Sequence, residues 1–311
     1  MKKPGELTDA EFLRDAYIQE GLSPVPGVVI AACTVGDDYD NPGNRIGVRR
    51  DGAWLEFGVS GEAVLSVDAT EAGLAYVLGE NGTVIRFDWK TPRTRDALKA
   101  SRKVFKNAAV EDLGPLRRLR VLGNDVVCVG SVGQAYVLGK ARFSTLPQLT
   151  IDGEDVTLEN LAGHGRDDFM AVTSEGHLAH FDGKRWRRIS LPLETGFNGV
   201  CTLKDGYALC GNEGAVLLGS GDDWRVIRPP DTEREYYGIA TYQGHVYAAH
   251  LGGIDRVVGD KLKRLTIAKA GSLRFTGLCG AQDGVWSFAD RTIGWIHDDQ
   301  WHTVVAEAPS E

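Results

Sequence analysis

Short apolar runs cut by polar turns dominate this chain. The stretch from Gly199 to Arg228 shows it most clearly: GVCTL, then KDG, YALCG, NEG, AVLLG, SGDD and WRVIR. Each run is too short for a helix, and Gly, Asp and Asn punctuate the gaps, so the pattern predicts four strands in an antiparallel meander. The first two strands are almost wholly apolar, as expected of strands buried between neighbouring sheets. The last strand of several units carries charge, as in RWRRI and LKRLTI, and is expected at the solvent edge.

The pattern recurs. SEGHLAHFDGKRWRRISLP and NEGAVLLGSGDDWRVIRPP lie 38 residues apart, and in each a turn glycine (Gly176, Gly214) precedes a tryptophan (Trp186, Trp224) by ten residues. The same ten-residue ruler joins Asn44 to Trp54, Gly133 to Phe143, Gly252 to Leu262 and Arg291 to Trp301. In the unit of Gly82 an insertion displaces the partner. A fixed period of this size marks a repeat architecture. Seven units follow: Pro26–Ser60, Glu62–Glu111, Pro115–Pro147, Leu158–Pro192, Asn198–Pro230, Tyr236–Ala270 and Arg274–Ala306. Radial repetition of four-stranded sheets hides strand edges, so the predicted fold is all-β, a seven-bladed propeller spanning 22–306. The first unit shows only three clear strands, so either that blade is short or an upstream segment supplies the fourth.

Outside the repeat, Thr8 and Glu11 form a capping box, and Phe12, Leu13, Ala16 and Tyr17 have helical spacing. This predicts one helix from Asp9 to about Glu20 within an N-terminal extension, residues 1–21. Residues 307–311 form a tail. Residues 90–106, KTPRTRDALKASRKVFK, interrupt the second unit with seven basic residues and one acidic, and a short helix from Asp96 to about Val104 is expected there. Residues 148–157 are a smaller acidic insertion.

The turn–strand–DGxxW–strand repeat resembles bacterial β-propellers of the tryptophan–aspartate and bacterial-neuraminidase repeat type, over roughly Pro26 to Ala306. The resemblance implies the fold. The Gly-His/Trp-Asp pairing of the first type is absent, and SGDDW at Ser220–Trp224 lacks the central glycine of the neuraminidase aspartate box.

Composition narrows the function. The net charge of −8 disfavours a general nucleic-acid binder. No apolar run is long enough to span a bilayer, and no apolar segment follows the first lysines, so a cytoplasmic location is expected. Cys33, Cys128, Cys201, Cys210 and Cys279 show no CxxC pairing and read as small buried side chains. His177 and His180, three apart on a strand, point to opposite faces and cannot share a metal. Asp37, Asp38, Asp40 and Asn41 do not match the twelve-residue calcium loop. No cofactor or metal is expected.

One surface pattern remains. In a propeller the loops between second and third strands share a face with the loops between blades. The former supply Asp37, Asp38, Tyr39, Asp40, Glu80, Glu175, Glu213 and Asp290; the latter supply Asp152, Glu154, Asp155, Glu194, Phe197, Asp231, Glu233, Glu235, Tyr236 and Tyr237. An acidic, aromatic-studded face suits a basic protein partner. The expected function is a non-enzymatic, monomeric interaction module, in its concrete form an immunity-type inhibitor of a basic toxin domain. Two alternatives stand beside it: a propeller hydrolase or lyase using His164 or His250 at the channel mouth, and a scaffold subunit that contacts its partner through the basic insertion.

Overall fold

The computed structural model describes residues 5–36, 43–110, 112–227, 234–267 and 274–306. Seven four-stranded antiparallel sheets follow one another along the chain, each a simple meander, and so form a seven-bladed propeller. The innermost strands are Ala16–Leu22, Val64–Ala69, Leu116–Leu122, Leu158–Gly165, Phe197–Leu203, Tyr236–Tyr242 and Gly277–Ala281. The ten-residue ruler finds the outermost strand of six blades: Trp54, Phe143, Trp186, Trp224, Leu262 and Trp301 each open or nearly open it.

The core is distributed. Seven hydrophobic clusters lie one between each pair of adjacent blades, because each sheet buries both faces. The apolar first and second strands are therefore required twice over, once for each neighbour.

The N-terminal segment departs from its sequence expectation. The helix covers only Asp9–Leu13, with the Thr8–Glu11 capping box in place. At Asp15 the backbone turns to φ +54°, and Ala16–Leu22 becomes the innermost strand of blade 1, paired with Val28–Val35. Helical spacing of Ala16 and Tyr17 was outweighed by sheet pairing, which supplies the missing fourth strand. The short helix instead wedges the seam: Phe12 stacks on Trp54 with centroids 3.7 Å apart, and both join Trp286 and Phe288 of blade 7 in one cluster. Each terminal blade is built from its own contiguous strands, so side-chain packing closes the ring, helped by the Ile18 amide donating to the Asp290 carbonyl at 2.6 Å.

The basic insertion is also shorter than expected. Its helix is Arg95–Ala100, capped by Thr94, and Lys103–Lys106 is the outer strand of blade 2 itself. Trp89 and Leu98, both fully buried, pin the insertion to blades 1 and 2. Residues 148–157 form a small hairpin, Thr150–Ile151 with Glu154–Asp155.

Candidate functional site

Meander connectivity places the loops between second and third strands, and those between blades, on one face. Among the described residues, Glu154, Glu175, Glu194, Glu213 and Glu235 are exposed there, while Glu80 and Asp290 are half-buried. Several carboxylates are used internally. Glu175 accepts from the Thr157 amide at 3.1 Å, and Glu80 accepts from the Ala63 amide at 3.2 Å. Asp152 pairs with Arg188 at 3.0 Å, and Asp155 accepts from the Gln148 amide group at 3.1 Å. The carboxylates of Glu154, Glu194 and Glu213 make no hydrogen bond or ion pair among the described residues. Asp37, Asp38, Tyr39, Asp40, Asp231 and Glu233 lie outside the described residues.

The aromatic part of the expectation needs correction. Phe197 and Tyr236 are fully buried, because each is the first residue of an inner strand and packs between blades. The Tyr236 hydroxyl donates to buried Asp255 at 2.5 Å, and Arg264 and Arg234 hold the same carboxylate at 2.5 and 3.2 Å. Tyr237 alone of this group is half-exposed, and its hydroxyl donates to Glu235 at 2.5 Å.

The inner strands enclose a channel cavity of about 850 Å³. Six of the seven carry a β-bulge at the same place: the ladder skips Gln19, Leu65, Arg117, Glu159, Asn198 and Tyr237. A bulge leaves one residue unpaired and re-aims its side chain. Gln19, Glu159, Asn198 and Tyr237 line the channel.

One position further along, the seven blades carry Glu20, Ser66, Arg118, Asn160, Gly199, Gly238 and Gly277. The polar members reach the next blade. Glu20 accepts from the Ser66 hydroxyl at 2.7 Å and from the Val67 amide at 2.8 Å. The Leu119 amide donates to Ser66 at 3.1 Å, Arg118 donates to the Glu159 carbonyl at 3.4 Å, and Asn160 donates to the Asn198 carbonyl at 3.4 Å. Arg118 and Arg120 also grip the other Glu20 oxygen at 2.7 and 2.9 Å. Burial would raise the Glu20 carboxyl, but the charges of Arg120 and Arg118 outweigh it and hold it down at about 2. Burial pushes Asp68 upward, against the Arg120 charge and the amides of Val121 and Ala69. Sequence reasoning missed this network because Glu20 was assigned to a helix. The signal was present in LRRLRVL: Arg118 and Arg120, two apart, lie on one side of a strand expected to be apolar.

The histidines of the catalytic alternative do not line the channel. His250 is buried in blade 6, edge-on to Tyr236, and its Nδ1 accepts from the Gly252 amide at 3.1 Å. His164 is exposed on the opposite face. His180 bonds Asp168 at 2.8 Å. Burial pushes the thiols of Cys33 and Cys201 to about 12, so neither is a ready nucleophile. Among the described residues no helix is long and apolar enough to cross a membrane.

No family model matches the chain. A stretch of 148 residues is 29% identical to the immune protein Tsi7 of Pseudomonas aeruginosa, covering 47% of this chain and 48% of that protein. The match thus spans about half the length of this curated relative. Solved structures share the fold at low identity. The WD40 β-propeller domain of Doa1 superposes with a TM-score of 0.66 at 14% identity, over 89% of this chain and 90% of that one. YCF48 bound to a D1 peptide gives 0.67 at 15%, over 94% and 93%. PorZ of Porphyromonas gingivalis, a surface component of the type-IX secretion system, gives 0.66 at 14%, over 99% of this chain and 40% of that one. The chain is a seven-bladed propeller with partial similarity to an immune protein.

Proposed function

We propose that this propeller is a protein-binding module of the immunity type, which neutralises a basic toxin domain by covering it with the acidic loop face. The observation that carries the reading is the set of carboxylates on that face, Glu154, Glu194 and Glu213, left without a hydrogen bond or ion pair among the described residues. Charges committed to internal bonds stabilise a loop; charges left in solvent are available to a partner and steer its approach. The partial similarity to an immune protein supports the same reading. The protein acts as a monomer in the cytoplasm on this view. Affinity capture of the tagged protein from its host, at low and high salt, tests it. One stoichiometric basic protein, lost as salt rises, is expected. Charge reversal at Glu194 and Glu213 slows association by about tenfold or more and flattens its salt dependence. Unchanged association would remove the acidic face from the mechanism.

A hydrolase or lyase is the second reading, favoured by the open channel of about 850 Å³. It would need catalytic groups other than His164 and His250. Turnover of a substrate by the purified protein, abolished by changes at the channel wall, would establish it.

A further inference from the structure

The channel wall is layered in charge. At the level of Glu20 its charges are answered internally: Glu20 by Arg118 and Arg120, and Asp68 by Arg120 and two backbone amides. Nearer the acidic face the balance changes. Glu159 occupies the bulge of blade 4, and Asp290 lies in the loop between the second and third strands of blade 7. Both line the cavity, and neither carboxylate makes a hydrogen bond or ion pair among the described residues. Arg118, which feels the Glu159 charge, is committed to Glu20. Gln19, also at bulge level, faces the same space without a side-chain hydrogen bond, and Tyr237 and Thr276 complete the rim.

A concave site of this size lies in the range of about 300–1,000 Å³ typical of ligand pockets. It offers acceptors at its rim and no net positive charge below them. An anion would meet two unanswered carboxylates first, and the guanidiniums beneath are already neutralised. A cation carrying several N–H donors meets the opposite: carboxylate and amide oxygens at the entrance, then two guanidiniums that halt its descent. We propose that the channel mouth receives an alkylammonium or guanidinium group, supplied by a lysine or arginine side chain of the protein partner. The inference rests on the partner-binding reading and extends it inward, since the mouth opens on the face that bears Glu194, Glu213 and Glu235.

The test titrates the full chain with arginine amide, with citrulline amide as the uncharged isostere, and with spermidine, followed by calorimetry or NMR. Arginine amide is expected to bind saturably, and citrulline amide about tenfold or more weakly. A Glu159→Gln, Asp290→Asn double variant should lower arginine amide affinity by about tenfold and leave citrulline amide unchanged. Asp290 has φ +34°, which asparagine tolerates, and both sites are half-exposed, so an unchanged thermal midpoint is expected to show that the fold survives. Equal binding of citrulline amide, absence of saturable binding, or an affinity untouched by the double variant each overturns the proposal. Spermidine binding far tighter than arginine amide would assign the mouth to a free polyamine and overturn the side-chain assignment. Partner capture separates the two levels. If the native chain captures no basic protein while arginine amide still binds, the immunity reading falls and the channel site stands without it. If capture survives and arginine amide fails to bind, only the channel proposal falls.

Discussion

Blades 1 to 4 and blades 5 to 7 solve one packing problem in two ways. At the position after the inner-strand bulge, the first group places Glu20, Ser66, Arg118 and Asn160, and each side chain crosses to the next blade. The second group places Gly199, Gly238 and Gly277, and at Gly199 and Gly238 the next inner strand approaches with no side chain between. A methyl group at Gly238 would lie 2.9 Å from the Thr276 carbonyl oxygen and 3.0 Å from the Leu278 amide nitrogen. One at Gly199 would lie 3.1 Å from a methyl of Ile239. Inner strands are the most crowded part of a propeller, so the gap between neighbours is either bridged by hydrogen bonds or removed. The bridged half carries charge and its solvation cost, while Gly199 and Gly238 leave no room for an added methyl unless their neighbours shift. A nearly repeated fold therefore need not repeat its stabilising chemistry.

The largest expected effect breaks the bridged half at its centre. Glu20→Gln leaves Arg118 and Arg120 facing each other with no carboxylate between them, and a loss of about 3–5 kcal/mol is expected in urea unfolding. A loss below about 1 kcal/mol would mean that water replaces Glu20 and that the network is not structural. The same residue predicts an acid limb. Its folded value of about 2 lies below the ordinary 4.5, so its stabilisation is complete above 4.5 and is lost as pH falls from there toward 2. Asp68 has the opposite sign: its folded value is raised, so protonation favours the folded state there and partly offsets that loss. Unfolding midpoints of Glu20→Gln should accordingly fall less steeply below about pH 4.5 than those of the native chain.

The close-packed half breaks differently. Gly238→Ala should cost about 1–3 kcal/mol, because the obstacle is backbone and cannot rotate away. The smallest expected effect sharpens the contrast: Asn160→Gly removes one bridge without adding a clash, for about 1–2 kcal/mol, and thermal or urea melts would rank the two. If Gly238→Ala were neutral and Asn160→Gly severe, the division between bridged and close-packed blades would be wrong.

Much of the architecture was legible because it is written in local patterns. Alternating apolar runs and turn residues identify strands wherever they occur, and the Gly176–Trp186 spacing locates outer strands around the ring. The first inner strand was not legible, since Ala16 and Tyr17 continue the helical spacing of Phe12 and Leu13. Asp15, in a left-handed conformation, divides the two states. Phe197 and Tyr236 were misplaced for a related reason. Sequence puts them beside loop residues, but each opens an inner strand and packs between blades. The acidic face was legible as loop composition. Which of its carboxylates are already bonded, as Glu175 and Glu80 are, depends on neighbours 17 and 18 residues away.

The chain by itself determined its period and the acidic composition of its loops, because each follows from the order of apolar, turn and charged residues over a few positions. Only the tertiary structure decided what lines the channel and what closes the ring. Glu20 meets Arg118 and Arg120 across 98 and 100 residues, and Phe12 meets Trp286 and Phe288 across nearly the whole chain. Such pairings have no local signature; they exist because a radial meander brings the innermost strand of every blade to one axis.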